Sequence, residues 1–485
     1  MVFSDKLVSL LRTFSKYELN RFHKFLQSPY FNEQEALLRL FEAVNKALRK
    51  GDAAVDALDK VKAWQAMYPQ QKTDAAQLRR CASDLNRLAL QFLANESRSE
   101  DPLADAFVLQ KRLDRPEVSK HLHSVERQIA AHLASGVTKD LQYYQQQYLF
   151  ESTLSIRYSK KMVGVEYAEK LNAADHYLAC FYIIQKMKYY VAWLTLKGLR
   201  ATDQGFELIP GFWEYVGETR FEQIPLIAIY KDVITCLKAP EEESHFQVFL
   251  DRLEQHAPEL SKEDLRECYQ IAQNYCAFKV NQGKTEYYPV LFHILKTEIA
   301  RGVLVENEQL AENVFKNVVT ISLWVKEYEW TEHFIQTHYQ YLPVDIRDNA
   351  QVFNLANLYW HQKKHHQVIE LLRSVEYSDV VYALGAKLIL VRTYFELREY
   401  LALDSLIESF RIFLRRNKVL SKNLKREYNS FLNFVKKLTS LNPSDKEGLA
   451  KLKASIQVAS ATTPKKWLME KMDEIEKTRG RTGMN

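Results

Sequence analysis

Apolar side chains recur along this chain at intervals of three and four residues, the spacing that puts them on one face of an α-helix. In residues 74–94, for example, one stripe is formed by Leu78, Cys81, Leu85, Leu88 and Phe92. The strict alternation of apolar and polar residues that marks a half-buried strand does not stand out. The pattern therefore predicts an all-α chain.

Local signals place the helix ends. Ser15 is followed three residues later by Glu18, the spacing of a capping box, so a helix is expected to begin after Ser15. Pro29 disfavours helical geometry at Ser28 and should end that helix. The following segment "SPYFN", residues 28–32, is interpreted as a turn whose aromatic residues pack across the corner, and a ligand-binding role is the weaker alternative.

A repeat of 35 residues appears in the last third of the chain. Two sets of positions carry it, Trp324, Tyr359 and Tyr394, and then Trp330, His365 and Tyr400. Each unit looks like two helices joined by a short turn. Such a unit cannot bury its apolar faces alone, so stacked neighbouring units are expected.

Two segments, "FNLANLYWHQKKHHQVIELL" and "LILVRTYFELREYLALDSLI", resemble the tetratricopeptide family. The matching residues are Leu355, Ala356, Tyr359, Val368 and Leu372, then Leu390, Tyr394, Tyr400, Leu403 and Ile407. Lys363 and Arg398 replace the turn glycine that is usual in the family, and Val368 and Leu403 replace its small residue. The resemblance covers about residues 315–415. It implies helical hairpins stacked into an elongated α-solenoid.

The resemblance also implies a groove lined by the first helix of each unit. Asn357 and Arg392 would occupy its equivalent inner position, 35 residues apart. Trp360, His361, Phe395 and Glu396 would lie one turn further along. Side chains of these types could bind the backbone or a carboxylate of an extended peptide. The alternative is that they only contact the adjacent repeat.

These patterns divide the chain into four predicted regions. They are an N-terminal helical module (1–98), an irregular helical array (99–305), tetratricopeptide-like repeats (306–440), and C-terminal capping helices with a frayed tail (441–485). The first boundary rests on the polar run Asn95–Pro102, which is interpreted as a linker. The start of the chain, "FSKYELNRFHKFLQSPYFN", is similar to the start of some uncharacterised bacterial helical proteins, a resemblance that implies no activity.

Charge is unevenly distributed. The whole chain carries a formal net charge of +6, whereas residues 411–485 alone carry 18 basic and 7 acidic residues. A predicted basic surface consists of Arg411, Arg415, Arg416, Lys418, Lys422, Lys425 and Arg426. Such residues could neutralise the phosphates of a nucleic acid. They could equally meet anionic lipid or an acidic protein, or form a solvated helix face.

No motif points to catalysis, a cofactor or a metal. Gly283, Lys284 and Thr285 resemble the end of a phosphate-binding loop, but Phe278 stands where that loop needs its first glycine. His361 and His365 have a metal-ligand spacing, but two lysines lie between them and no adjacent acid completes a set. We therefore expect a non-enzymatic protein without a cofactor.

The lack of a membrane-spanning segment and of an obvious disulfide pattern bears on the cellular compartment. No apolar run is long enough for a membrane-spanning helix, and five scattered cysteines are typical of reduced thiols, so a cytoplasmic protein is expected. With 13 glycines and 12 prolines in 485 residues, short loops between helices are favoured. The predicted function is a protein–protein interaction scaffold. The alternative is a nucleic-acid- or ribosome-associated factor that uses the basic surface.

Overall fold

The computed structural model describes residues 5–135, 138–161, 164–199, 205–373, 380–441, 445–458 and 464–482. These residues contain 25 α-helices and three short 3₁₀ turns, and no strand occurs among them beyond a single bridge between Glu306 and Gln309. The predicted all-α fold is confirmed.

The chain divides into two compact units, Met1–Lys186 and Met187–Asn485. The helices of unit 1 are α1 (Asp5–Arg12), α2 (Lys16–Gln27), α3 (Glu35–Leu48), α4 (Asp52–Asp56), α5 (Lys60–Met67), α6 (Ala75–Glu100), α7 (Ala104–Arg112), α8 (Ser119–Ala134) and α9 (Leu141–Lys161). Helix α10 (Gly164–Leu199) begins in unit 1 and ends in unit 2. The helices of unit 2 are α11 (Phe212–Val216), α12 (Thr219–Glu222), α13 (Pro225–Lys238), α14 (Glu243–His256), α15 (Lys262–Asn281), α16 (Tyr287–Ala300), α17 (Glu312–Trp324), α18 (Tyr328–His338), α19 (Arg347–His361), α20 (His365–Arg373), α21 (Val380–Glu396), α22 (Tyr400–Arg416), α23 (Lys422–Ser440), α24 (Lys446–Gln457) and α25 (Lys465–Thr482). The predicted boundaries at 98/99, 305/306 and 440/441 stay predictions.

The predicted capping box is present at the start of α2. Ser15 Oγ accepts a hydrogen bond from the Glu18 backbone N–H at 3.2 Å, and the Glu18 carboxylate accepts one from the Ser15 N–H at 2.6 Å. The "SPYFN" segment is a turn, in which the Phe31 ring stacks on Phe25 with centroids 4.1 Å apart. Tyr30, in contrast, is 89% exposed, so the expectation that both aromatics pack was wrong for Tyr30.

The polar run Asn95–Pro102 differs from its interpretation as a linker. Helix α6 continues through it to Glu100, and only then does the backbone turn at Asp101. Polar residues that are good helix formers extend an established helix into solvent at little cost, so a polar composition alone did not identify an irregular segment.

Four helical hairpins in unit 2 share one turn geometry. They are α15–α16, α17–α18, α19–α20 and α21–α22. In each, a residue with positive φ lies two positions after the end of the first helix: Gly283, Lys326, Lys363 and Arg398. The next residue's N–H donates to the carbonyl oxygen five residues earlier in every case, as from Lys364 to Tyr359 at 2.9 Å. This bond caps the helix end and fixes where the second helix starts.

The shared turn gives the hairpins a common register. Seven residues before each turn residue lie Cys276, Val319, Ala356 and Val391, and all four side chains are fully buried. Lys363 and Arg398 are 35 residues apart, which agrees with the repeat read from the sequence. Lys326 and Lys363 are 37 apart, so the alignment of Trp324 and Trp330 with the later units was wrong by two residues. The additional residues lie between α18 and α19, where a short 3₁₀ turn, Tyr339–Tyr341, intervenes.

Contacts between the hairpins run in sequence order. Helix α17 contacts α19, α19 contacts α21, and the second helix of each of these hairpins also contacts the first helix of the next. This arrangement is compatible with a helical-repeat fold. Beyond it, α22 packs against α23, and α23 contacts α25, where Trp467, Leu468 and Met472 are buried in a shared core.

One close approach between first helices depends on a glycine. A Cβ added to Gly385 in α21 would lie 2.5 Å from Cε2 of Phe353 in α19. We predict that Gly385→Ala destabilises the protein by about 1 kcal/mol, because the overpacking penalty exceeds the gain in helix propensity. Thermal denaturation followed by circular dichroism measures this change.

The matched control is Gly164→Ala at the start of α10, where an added Cβ meets no atom within 4 Å. This variant should melt at or slightly above the wild-type temperature. Equal melting temperatures for the two variants would show that the Phe353 ring gives way without cost.

Candidate functional site

The six predicted groove residues lie at the ends of α19 and α21, in matching positions. Asn357 and Arg392 each lie six residues before the turn residue of their hairpin, Lys363 and Arg398. Trp360 and Phe395 lie three residues before it, and His361 and Glu396 two before it. Because α19 contacts α21 and the turns have the same geometry, equivalent positions lie on neighbouring helices.

Arg392 and Trp360 form the centre of this site. The Arg392 guanidinium carbon lies 4.2 Å from the centroid of the Trp360 ring, within the range of a cation–π contact. Within the described part of the chain Arg392 forms no ion pair and no hydrogen bond. Its Nε is buried away from solvent. Burial lowers the pKa of Arg392 to about 10 against an opposing effect of Glu396, so the side chain remains a cation at neutral pH.

Three further polar atoms, in the segment that joins α19 to α20, are covered without a hydrogen-bond partner in the described residues. They are Trp360 Nε1, Gln362 Oε1 and His365 Nδ1. A buried polar atom without a partner costs about 1–3 kcal/mol. Sequence reasoning missed Gln362. Its position next to the turn residue Lys363 was the available signal, since a side chain there is held against the hairpin.

His361 and His365 have the sequence spacing of a metal-ligand pair, but the structure does not place them on one helix. His361 ends α19 and His365 begins α20, so the turn separates them and they do not share one helix face. Surrounding protein and the nearby cations Arg392 and Lys466 lower the pKa of His361 to about 4, although part of its ring is exposed. Burial also lowers the pKa of His365. Both rings are therefore neutral at pH 7.

Phe395 and Glu396 contact the C-terminal helix of the same chain. Glu396 accepts hydrogen bonds from Trp467 Nε1 at 2.7 Å and from Lys471 Nζ at 2.9 Å. The Phe395 ring meets the Trp467 ring edge-on with centroids 5.2 Å apart. Burial opposes the charge of Lys471, but hydrogen bonds to Glu474 and Glu396 outweigh it and raise the pKa of Lys471. The sequence did not predict this contact.

Asn357, the remaining groove residue, is half-buried and makes no side-chain hydrogen bond to the described residues. Its amide therefore retains both its donor and its acceptor capacity for a ligand. Asn357 and Arg392 are an amide and a planar cation, groups whose chemistry matches a peptide backbone and a carboxylate.

The predicted basic surface lies at the end of α22, in the following loop and in the first turns of α23. Arg411 is paired with Glu408 at 2.7 Å, and Arg426 donates to Asn423. Lys425 is half-buried. The remaining members are exposed and form no ion pair within the described residues: Arg415, Arg416, Lys418 and Lys422.

Comparison of the chain with protein-family models, with curated proteins and with solved structures gave no match. In the described residues no helix is both long and apolar enough to cross a membrane. The class that the fold defines is an all-α protein with helical hairpins that contact one another in sequence order.

The unpaired cation should cost the protein stability. We predict that Arg392→Met raises the free energy of unfolding by about 1 kcal/mol, because methionine keeps the contact with the Trp360 ring and removes a half-buried charge without a partner. Chemical denaturation monitored by circular dichroism measures the change.

The same replacement at the exposed Arg415, Arg415→Met, is the control and should leave stability unchanged within about 0.5 kcal/mol. A less stable Arg392→Met protein would mean that Arg392 contributes a stabilising contact rather than an unsatisfied charge.

Proposed function

We propose that this chain is a non-enzymatic, protein-binding scaffold, and that a segment of its partner binds in the groove formed by α19 and α21. The observation that carries the proposal is Arg392, a cation held on the Trp360 ring with no acidic partner among the described residues. A protein retains such a group at a cost in stability, which a ligand would offset on binding.

The chemistry of the site favours a carboxylate as the group that binds. Arg392 offers a planar guanidinium, and Trp360 Nε1 beside it is a donor without an acceptor. A carboxylate has two oxygens that accept from such donors, and a charge-assisted bond of this kind is stronger than a neutral one. Asn357 would hold the backbone next to that carboxylate. The partner segment therefore carries an Asp, a Glu or a free C-terminus.

The hairpin register supports a tetratricopeptide-like interpretation of this region. Lys363 and Arg398 occupy the turn where the family has glycine, and the two hairpins repeat after 35 residues, as the sequence resemblance implies. The five cysteines are free, buried thiols, which supports a cytoplasmic setting for the interaction.

A second candidate function uses the basic surface. Arg415, Arg416, Lys418 and Lys422 are exposed cations without ion pairs among the described residues, and they lie within eight consecutive positions. Their charges are available to phosphates of RNA or DNA. This surface is separate in sequence from the groove, so the two functions are tested by different variants.

The groove is tested by recovery of partners. A tagged full-length chain is used to capture proteins from native lysate with and without nuclease, and the proteins are identified by mass spectrometry. We predict that Arg392→Met loses nuclease-resistant partners that the wild-type chain and Arg415→Met both recover. Because Arg392→Met is expected to be at least as stable as the wild type, unfolding would not explain the loss.

The carboxylate is tested on the recovered partner itself. Replacing the Asp and Glu residues of its binding segment with Asn and Gln should reduce affinity by about tenfold or more, the loss expected for one charge-assisted contact. Unchanged recovery by Arg392→Met would remove the groove from consideration.

The basic surface is tested by the salt dependence of RNA binding. Four phosphate contacts predict a slope of about −3 for the logarithm of the binding constant against the logarithm of salt concentration on single-stranded RNA. Replacing Arg415 and Arg416 with glutamate should flatten the slope, and Arg373→Glu at the end of α20 is the control. Affinity that is micromolar or weaker and varies little with salt would reject this function.

A further inference from the structure

The C-terminal helix α25 lies against Phe395 and Glu396, two of the six predicted groove residues. Trp467 is only 4% exposed, and its Nε1 donates to Glu396. Lys471 donates to the other oxygen of the same carboxylate. Trp467 and Lys471 are four residues apart on α25, so a single face of that helix supplies both donors. The carboxylate of Glu396 is therefore fully occupied by this chain's own residues.

The same helix lies near His361, one of the predicted groove residues, and near His365 at the start of α20. Lys466 is near enough to His361 to act on its charge, and Lys471 is near enough to act on His365. Trp467 covers the Phe395 ring edge-on. Three residues of α25 thus approach the end of the groove at which α19 and α21 reach their turns.

The fit between α25 and the groove is good in its apolar part and incomplete in its polar part. Trp467, Leu468 and Met472 are buried in a core shared with α22 and α23. Helix α25 satisfies Glu396, yet three covered atoms keep no partner among the described residues: His365 Nδ1, Arg392 Nε and, on the ring beneath Arg392, Trp360 Nε1. Glu396 is near enough to act on the charges of both His365 and Arg392. A permanent core contact would be expected to pair such atoms, because each unpaired one lowers stability.

We propose that α25 occupies the partner site of the groove in cis, and that a partner segment gains access to Arg392 only as α25 leaves. This inference rests on the proposed function of the groove. Helix α25 acts as an intramolecular ligand whose Trp467 and Lys471 bind Glu396 until a segment that also pairs Arg392 replaces it. The apparent affinity for the partner is then reduced by the fraction of molecules in which α25 is docked.

A peptide with the sequence of residues 465–482, "KKWLMEKMDEIEKTRGRT", is the probe, labelled with a fluorophore and added to the full-length protein. We expect weak binding to the wild-type chain, in which α25 competes. Full-length Trp467→Ala should bind the peptide at least about tenfold more tightly, because its own helix competes less. Adding Glu396→Gln in that background should abolish the gain, and a peptide with alanine in place of tryptophan should not bind.

A Trp467→Ala chain that binds the peptide no better than the wild type overturns the proposal. Because loss of a buried tryptophan can unfold a core, Lys471→Ala is the second variant, and hydrogen exchange is the second measurement. Exchange of the α25 amides should be faster in Lys471→Ala than in the wild type, while α19 and α21 keep their protection. Equal acceleration in all three helices means that α25 is a permanent part of the core, which also overturns the proposal.

The two proposals fail in different ways. Peptide binding is measured without any partner, so its failure counts against exchange of α25 alone. Recovery of partners by Arg392→Met counts against the groove alone. When both hold, Lys471→Ala should recover more partner from lysate than the wild-type chain, and equal recovery would show that docked α25 does not block the site.

Discussion

The left-handed turn that follows the first helix of each hairpin is the constraint on which the arrangement of the four hairpins in unit 2 depends. Gly283, Lys326, Lys363 and Arg398 each reverse the chain in the same way and bond the next N–H back to the same carbonyl position. The geometry of the turn determines which face of each first helix is buried. It also determines that Asn357 and Arg392 occupy equivalent positions, and it places Trp360 one turn from Asn357. The equivalent placement of these residues is a consequence of repeated turns rather than of any single binding motif.

Two charged residues among the predicted groove residues, Glu396 and Arg392, differ in the free-energy cost of their burial. Glu396 is satisfied by donors from α25, and burying it therefore costs little. Arg392 lies on an aromatic ring, and Glu396 acts on its charge only from a distance, without an ion pair or hydrogen bond among the described residues, so the charge is only partly compensated.

Most of the fold followed from local patterns, whereas the decisive contacts of the site did not. Spacing of apolar residues predicted the helices, and Ser15 with Glu18 predicted a helix start that the structure contains. The 35-residue repeat was right for Lys363 and Arg398, whose hairpins follow directly on one another. It was wrong by two residues for Trp324, because a 3₁₀ turn lengthens the connection before α19. Trp467 meets Glu396 across 71 residues of chain, and nothing in either local pattern indicates which distant groups will pair.

The identity of the turn residues has a consequence for the surface of the hairpins. Of the four residues with positive φ in the hairpin turns, three carry long cationic side chains and are exposed: Lys326, Lys363 and Arg398. A left-handed backbone costs such a residue about 1 kcal/mol relative to glycine. In return, successive hairpins each present a positive charge at the same point of their turn. Any molecule that approaches these turns from solvent therefore meets positive charge, whose position in each hairpin is fixed by the geometry of the turn.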